Sequence, residues 1–308
     1  MNDPRQWKIG LLGYGEVGRI LAEDLRAQGV AVGMYDRKLD KTDTGEPLRQ
    51  HANTKGVKVF ASAAALAEAS ELVISAVTAA QTVDAASACA PGLHRDAWFL
   101  DFNSASPAAK QLASARVEEA GGRYVEAAVM TSVPPYRIRV PMLLGGPHAD
   151  TLLSSFTAFG FAAKAGSDRL GVVSATKMCR SVMIKGLEAM VIESLTAARH
   201  YGVDEAVLAS LRETFPGIDW EAQATYFFQR VIEHGHRRSE EMRESAATVR
   251  DAGLDAWSAS GTAERQAWIA ALADDGVFGA RHTPGFARST DWRTEADRLL
   301  AHLKHQNT

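Results

Sequence analysis

The chain has 308 residues, of which 46% are hydrophobic and 23% charged, with a formal net charge of -3 and two cysteines. This balance is typical of a globular protein with a sizeable core, and the absence of a concentrated basic region excludes nucleic acid as the main partner. Two thiols, Cys89 and Cys179, neither make a disulfide framework nor ligate zinc by themselves. The start of the chain lacks the apolar core of a signal peptide, and no stretch approaches the roughly 20 apolar residues that span a bilayer. We therefore expect a cytoplasmic protein with no membrane partner.

Short apolar runs alternate with helical patterns in the first half of the chain. Segments such as Ser62–Ala69 and Pro107–Ala120 have helical spacing. Strands interleaved with helices predict an α/β Rossmann domain, with a mostly parallel, doubly wound sheet covered on both faces. The runs predicted to be strands are Trp7–Leu12, Val30–Tyr35, Val57–Phe60, Leu72–Ala76, Trp98–Phe102, Tyr124–Val129 and Pro141–Leu144.

From about Gly171 onwards the strand-like runs stop and long helical patterns follow. We predict a Rossmann domain over residues 1–168 and an all-α domain over residues 169–308, connected by a long interdomain helix. That helix is apolar enough to need a partner, which predicts a homodimer formed through the helical domain. The predicted helices are Ser174–Tyr201, Asp204–Thr214, Asp219–His234, Ser239–Ala252, Thr262–Asp274 and Trp292–Lys304.

A glycine-rich turn follows the first predicted strand and opens a helix. This context turns an otherwise weak Gly-x-Gly-x-x-Gly pattern into a strong signal for dinucleotide binding. Gly13 permits the tight turn, Gly15 lets the pyrophosphate approach the backbone, and Gly18 allows close packing of helix on strand. Free N–H groups at the helix N-terminus then hold the pyrophosphate. The predicted cofactor-binding residues of this turn are Gly13, Tyr14, Gly15, Glu16, Val17 and Gly18.

Asp36 and Arg37, at the end of the second predicted strand, bear on the choice of cofactor. An acidic side chain there accepts hydrogen bonds from the ribose hydroxyls and repels a 2′-phosphate, which favours NAD. Arg37, with Lys38 and Lys41 nearby, favours NADP. The cofactor is therefore NAD(P), with a slight preference for NAD.

The order of these elements resembles the β-hydroxyacid dehydrogenase family, which contains the 3-hydroxyisobutyrate dehydrogenases and is related to 6-phosphogluconate dehydrogenase. The family's Gly-x-Gly-x-x-x-Lys motif is similar to the stretch from Gly171 to Lys177, where Val173 replaces the second glycine, and its Asp-x-Ser-Thr-x-x-Pro motif is similar to the stretch from Asp101 to Pro107. The resemblance implies that Lys177 is the catalytic lysine. It also implies that Val77, Thr78, Asn103 and Ser104 lie beside the cofactor.

Several positions depart from the family's motifs. The substrate loop Asp-Ala-Pro-Val-Ser-Gly-Gly is here Glu126-Ala-Ala-Val-Met-Thr-Ser132, and the two asparagines after the lysine are Arg180 and Ser181. The C-terminal half resembles a divergent branch whose helical domain is similar to that of phosphogluconate dehydrogenase. We therefore expect a small-molecule substrate different from that of the parent family. Its predicted binding residues are Met130, Thr131, Ser132, Arg180 and Ser181.

Hydride transfer from an alcohol needs a fixed nicotinamide, a group that takes the hydroxyl proton, and an anchor for the substrate. Lys177 is the candidate for proton transfer, and Lys185 is a reserve candidate two helical turns later. Arg180 shares a helix face with Lys177 and has the geometry to bind a carboxylate or phosphate through two hydrogen bonds. His234 and His236, next to cationic Arg237 and Arg238, make a poor metal site, so no metal is predicted.

The leading hypothesis is an NAD(P)-dependent dehydrogenase acting on a hydroxy acid or related polar alcohol, with Lys177 as general acid and base. An NADPH-dependent imine or carbonyl reductase on the same fold is the first alternative, although imine reductases generally lack a lysine at this position. A non-catalytic nucleotide-binding protein is the second alternative.

Overall fold

The computed structural model describes residues 4–281, 283 and 285–306. The chain forms two compact units, residues 1–178 and residues 179–308. The strands end at Ser167, and the division between the units falls inside the long helix Val172–Tyr201. The predicted domain boundary after residue 168 stays a prediction.

The first unit contains an eight-stranded sheet with the strand order β3-β2-β1-β4-β5-β6-β7-β8. Strands β1 to β6 are parallel, β7 is antiparallel to β6, and β8 is parallel to β7. The predicted mostly parallel, doubly wound sheet is therefore confirmed. The strands are β1 (Lys8–Leu12), β2 (Ala31–Tyr35), β3 (Lys58–Val59), β4 (Leu72–Ser75), β5 (Trp98–Asp101), β6 (Arg123–Val129), β7 (Met142–Gly145) and β8 (Ala163–Ser167).

Helices cover both faces of this sheet because the central strands are apolar on both sides. One core packs the sheet against α1, α2 and α6, and the other packs it against α3, α4 and α5. Strand β4 is buried at every position, as expected for a central parallel strand. The helices of this unit are α1 (Glu16–Ala27), α2 (Thr42–Thr54), α3 (Ala63–Glu68), α4 (Thr82–Cys89), α5 (Pro107–Glu119) and α6 (Ala149–Phe156).

One strand has no counterpart among the predicted ones. Strand β8, with the sequence Ala-Lys-Ala-Gly-Ser, lies at the sheet edge and has three exposed central residues. An edge strand of this kind buries no continuous apolar face, so it lacks the hydrophobic pattern by which the other strands are predicted.

The second unit is helical. It contains most of α7 (Val172–Tyr201), followed by α8 (Asp204–Thr214), α9 (Trp220–Asp251), α10 (Trp257–Asp274) and α11 (Trp292–Gln306). The all-α second half and the long connecting helix are thus confirmed. None of the helices among the described residues has the length and apolar character needed to cross a membrane.

The prediction of two separate helices over Asp219–His234 and Ser239–Ala252 is wrong, because α9 runs without interruption through both segments. Gly235 lies at the predicted break. A Cβ at this position would come within 2.7 Å of the Gln266 carbonyl oxygen and 2.9 Å of the Ala270 Cβ. The glycine therefore permits close packing of α9 on α10 rather than ending the helix.

Candidate active site

The three motif glycines have separate roles in the turn between β1 and α1. Gly13 has a φ of +90°, and a Cβ there would lie 2.6 Å from the Ala76 carbonyl oxygen. A Cβ at Gly18 would lie 2.2 Å from the Gly13 carbonyl oxygen. At Gly15, by contrast, nothing lies within 4 Å of the Cβ position. Gly13 and Gly18 are thus needed by the fold, whereas Gly15 leaves open space where a ligand can approach the backbone.

The other turn residues differ in what they expose. Glu16 is exposed in the first turn of α1, and Val17 packs against the core. The Tyr14 side chain is fully buried, and its hydroxyl lies 3.1 Å from Nδ1 of His51. Burial, together with the nearby Glu23 carboxylate, raises the pKa of Tyr14 to about 12. Only the backbone of Tyr14 is therefore placed to contact a cofactor.

Asp36 connects the end of β2 to the glycine turn. Its Oδ2 accepts a hydrogen bond of 2.7 Å from the Tyr14 N–H, and its Oδ1 accepts one of 2.9 Å from the Lys38 N–H. The Arg37 guanidinium donates to Oε1 of Gln81, at the end of the short 3₁₀ helix Ala79–Gln81 that follows β4. The carboxylate is thus oriented by the backbone around it and retains lone pairs for further donors.

The ends of β4 and β5 are tied together by Asn103. Its Oδ1 accepts a 2.8 Å hydrogen bond from the Val77 N–H, and its Nδ2 donates to Oγ of Ser75 at 3.0 Å. The side chain is buried, so its main contacts fix the two strand ends rather than reach into solvent. Thr78, next to Val77, is exposed at this edge.

Lys177 and Ser104 come together, although 73 positions separate them in the sequence. Nζ of Lys177 donates a 2.6 Å hydrogen bond to Oγ of Ser104. Both residues are half-buried and belong to the first unit. Ser104 follows the carboxyl end of β5, the edge where parallel sheets bind their ligands. A lysine and a hydroxyl in contact at this edge are able to exchange a proton with a bound alcohol.

The loop with Met130, Thr131 and Ser132 follows β6. Thr131 is exposed, and Met130 and Ser132 are half-buried. The Met130 N–H donates to the Pro141 carbonyl at 3.0 Å, which closes the base of the loop. Among the described residues, no hydrogen-bond partner is found for the hydroxyls of Thr131 and Ser132, and their role in substrate binding stays a prediction.

Arg137 clamps this loop to α1. Its Nε donates to Oδ1 of Asp24 at 2.9 Å, and its Nη2 donates to Oε2 of Glu23 at 2.8 Å. The Ile138 N–H also donates to Asp24, at 3.0 Å. Arg137 has a φ of +55°, a conformation that costs a non-glycine residue roughly 1–3 kcal/mol. The hydrogen bond from Arg137 is the largest of the effects that lower the pKa of Glu23 to about 2.

Replacing Arg137 with alanine is expected to release the loop while the sheet stays folded. Because the clamp holds a strained backbone, we expect amide hydrogen exchange over residues 131–140 to accelerate at least about tenfold, a loss of about 1.4 kcal/mol of local stability. The measurement is hydrogen exchange followed by mass spectrometry. The exposed neighbour Arg139 provides the control, because Arg139→Ala should leave the loop unchanged. Equal acceleration in both variants would contradict the clamp.

The remaining candidates on α7 belong to the second unit. Arg180 is exposed and Ser181 is buried; their role in substrate binding stays a prediction. Lys185 is buried and donates to Oε2 of Glu241 on α9. Burial lowers the pKa of Lys185, and its pairing with Glu241 opposes that effect. In this ion pair Lys185 contributes to the interior of the helical unit.

The two histidines on α9, His234 and His236, lie in different surroundings. Nε2 of His236 lies 2.5 Å from Oδ2 of Asp274. Burial and four surrounding arginines lower the pKa of His234 to about 4. Across the described ranges of the chain, no group of three or more His, Cys, Asp or Glu side chains is arranged to hold a metal ion.

Three charged residues of the first unit are missing from the predicted set. Asp101, Lys110 and Glu126 are almost completely buried, and Asp101 pairs with Lys110 at 2.8 Å. The signal for the two carboxylates is present in the sequence, because Asp101 and Glu126 interrupt apolar runs that are predicted as strands. A charge at such a position is rarely buried unless it is paired.

Comparison with known proteins agrees with this architecture. Residues 8–151 match the family model of the NAD binding domain of 6-phosphogluconate dehydrogenase, and residues 198–269 match a domain of unknown function, DUF1932. A conserved hypothetical protein from Sinorhizobium meliloti 1021 is 35% identical, with a TM-score of 0.72 over 95% of this chain and 96% of that one. The chain therefore belongs to the 6-phosphogluconate dehydrogenase-like family related to the β-hydroxyacid dehydrogenases, in the branch that carries the DUF1932 domain.

Two more distant relatives are 3-hydroxyisobutyrate dehydrogenases. The structure of the Mycobacterium tuberculosis protein has a TM-score of 0.70 at 17% identity and covers 96% of this chain and 99% of that one, a likeness of fold alone. The mitochondrial protein of Drosophila melanogaster is 25% identical over 224 residues, which cover 70% of this chain and 65% of that protein.

Proposed function

We propose that this protein is an NAD(P)-dependent oxidoreductase that transfers hydride between the nicotinamide and the carbinol carbon of a hydroxy acid or related polar alcohol. The observation that carries the proposal is the 2.6 Å hydrogen bond between Lys177 and Ser104. It supports the proposal because both residues lie in the same compact unit as the glycine turn.

The residues of the turn fit a dinucleotide. The open space at Gly15 accommodates a pyrophosphate beside the N-terminus of α1, where N–H groups and the helix dipole favour an anion. Asp36, fixed by two backbone N–H groups, offers its remaining lone pairs to ribose hydroxyls. The nicotinamide, when bound, supplies the hydride acceptor or donor.

Lys177 acts on the hydroxyl proton. In oxidation its neutral amine takes the proton from the substrate hydroxyl, and in reduction its ammonium returns a proton to the carbonyl oxygen. Ser104, which accepts a hydrogen bond from Nζ of Lys177, orients the amine. Thr131 and Ser132 supply hydroxyl groups to the polar part of the substrate. Arg180 is proposed to bind its carboxylate or phosphate.

The experiment is a fluorescence titration with NADH and NADPH, followed by a screen of hydroxy acids and larger alcohols with both oxidised cofactors. We expect binding of at least one nucleotide and turnover of at least one polar alcohol. Absence of a response to either nucleotide would rule out every enzymatic interpretation. Binding without turnover of any alcohol or imine would favour a non-catalytic nucleotide-binding protein.

Reduction of C=N bonds is the second candidate reaction. An imine reductase from Aspergillus terreus, solved with NADPH4, and a reductive aminase from the same organism, solved with NADPH, each have a TM-score of 0.55, at 17% and 18% identity, which supports a common fold only. The lysine at position 177 favours alcohol chemistry, since imine reductases resembling this layout generally lack it. Cyclic imines therefore belong in the same screen.

We propose a slight preference for NAD, and Asp36 provides its test. Asp36→Asn keeps an oxygen acceptor for the turn but removes the charge that repels a 2′-phosphate. We expect the ratio of the NADPH and NADH dissociation constants to shift about tenfold towards NADPH, which is about 1.4 kcal/mol. Asp40→Asn, an exposed change in the next turn, is the control. An unchanged ratio in Asp36→Asn would remove Asp36 from cofactor discrimination.

We further propose that the protein is a homodimer formed through its helical unit. Met183 and Met190 are 74% and 62% exposed, and their seven-residue spacing places them on one face of α7. A second copy of the chain is the proposed partner of this face. Light scattering should give twice the chain mass of 33.1 kDa, and Met183→Glu with Met190→Glu should give the single-chain mass. A wild-type protein that stays at the single-chain mass would contradict the proposal.

A further inference from the structure

Two buried carboxylates lie side by side in the sheet. Asp101 on β5 and Glu126 on β6 are register partners, and both have an exposed fraction of 0%. Burial of a carboxylate is costly unless other groups bind it. The groups that bind these two carboxylates therefore indicate their structural role.

Asp101 fixes the turn that carries Ser104. Its Oδ1 accepts hydrogen bonds of 2.8 Å from both the Asn103 N–H and Nζ of Lys110, and its Oδ2 accepts one of 2.6 Å from the Tyr124 hydroxyl. Three donors thus hold one carboxylate, and one of them is the backbone of the residue directly before Ser104. Asp101 therefore fixes the backbone of the residue that precedes Ser104.

Glu126 fixes the start of the helix that carries Lys177. Its Oε1 accepts a 2.6 Å hydrogen bond from the N–H of Gly171, the residue directly before α7. Gly171 has a φ of +93°, and its carbonyl accepts a hydrogen bond of 3.0 Å from the Ser174 hydroxyl. The second oxygen, Oε2, is buried and has no hydrogen-bond partner among the described residues. The contact with Gly171 is therefore the main polar interaction of this carboxylate.

The neighbouring strands leave room for this contact. A Cβ at Gly145, the register partner of Glu126 on β7, would lie 2.7 Å from Oε1 of Glu126. A Cβ at Gly166 would lie 2.5 Å from Cγ1 of Val173, and the β7–β8 register shifts at this point. The two glycines and the local irregularity therefore let the first turn of α7 lie directly against the sheet.

We propose that Asp101 and Glu126 are positioning residues for the Lys177–Ser104 pair, each fixing the backbone of one member. The kinetic part of this inference rests on the proposed function, whereas the structural part does not.

The reach of Glu126 gives the inference a sharp test. Aspartate, the residue of the family motif, keeps the charge but is one methylene shorter and cannot span the distance to the Gly171 N–H. Glutamine keeps the reach and an acceptor oxygen but loses the charge. If the hydrogen bond positions Lys177, Glu126→Gln should behave more like the wild type than Glu126→Asp.

The first measurement needs no substrate. Lysines of the full-length protein are labelled with acetic anhydride between pH 6 and pH 10 (about the range in which amines become reactive), and Lys177 is quantified by mass spectrometry relative to exposed Lys38. In Glu126→Asp we expect Lys177 to be labelled severalfold faster with a displaced pH dependence, because its contact with Ser104 loosens. Glu126→Gln and the surface control Glu119→Asp should match the wild type.

The second measurement is turnover. A misplacement of about 1 Å can cost on the order of 100-fold in rate, so kcat should fall by up to that factor in Glu126→Asp, with the nucleotide KM unchanged. Tyr124→Phe, which removes one donor to Asp101, should give a smaller change in the same direction and serves if Glu126→Asp does not fold. Wild-type labelling and wild-type kcat in Glu126→Asp would overturn the inference, as would equal losses in the Asp and Gln variants. If the wild-type protein shows no detectable turnover but Glu126→Asp still alters the labelling of Lys177, only the proposed function would be contradicted.

Discussion

Replacing Lys177 with alanine is expected to lower turnover by about 10²–10⁴-fold, the usual contribution of a general acid or base. The side chain donates to Ser104 and is separate from the glycine turn in sequence and element. The dissociation constant for the nucleotide should therefore stay close to the wild-type value. Steady-state kinetics and fluorescence titration on the same preparation measure the two quantities.

Two further variants make this expectation specific. Lys177→Arg keeps the positive charge but does not supply a neutral base near pH 7, because a guanidinium is not deprotonated in proteins, so it should be as inactive as Lys177→Ala. Lys164→Ala removes an exposed lysine and should leave turnover intact. Full activity in Lys177→Ala would show that another group transfers the proton.

Gly15→Val is expected to abolish nucleotide binding without unfolding the protein. Nothing lies within 4 Å of the Cβ position, and the backbone at Gly15 has a φ of −74° and a ψ of −155°, an extended conformation that any residue adopts. The branched side chain would instead occupy the space proposed for the pyrophosphate. We expect the dissociation constant to rise at least about 100-fold, or about 2.8 kcal/mol, with an unchanged melting temperature.

Gly18→Ala is the matched comparison. Its Cβ would meet the Gly13 carbonyl oxygen at 2.2 Å, so the substitution should lower the free energy of unfolding by about 1–3 kcal/mol, as overpacking does. Thermal unfolding and nucleotide titration of both variants distinguish a ligand-facing glycine from a structural one. Tight nucleotide binding by Gly15→Val would place the pyrophosphate elsewhere.

The sequence was sufficient to predict the elements that bury apolar surface. Seven strands are marked by apolar runs, and the glycine pattern between Trp7 and Tyr35 predicts the first strand–turn–helix–strand unit because its spacing follows from backbone chemistry. Strand β8 was not predicted, since a strand at the sheet edge with exposed central residues carries no hydrophobic period. The continuity of α9 was not predicted either, because the tertiary packing of Gly235 overrides its low helix propensity.

The candidate site likewise combines features that are predictable from local sequence with features that depend on tertiary structure. Lys177 and Ser104 are predicted by resemblance to short motifs, and their contact is a property of the folded chain. The supporting roles of Asp101 and Glu126 depend on register between neighbouring strands and on a hydrogen bond across 45 residues. No local pattern encodes such pairings, although a charge inside an apolar strand indicates that a partner must exist.

The reversal of direction at β7 bears on which unit contains Lys177. Because the last two strands return antiparallel to the others, the chain re-enters the sheet beside β6 before α7 begins, and Lys177 falls within residues 1–178. Lys177 therefore belongs to the same compact unit as the glycine turn rather than to the helices that follow it. The hydrogen bond between Lys177 and Ser104 consequently depends on contacts made within residues 1–178.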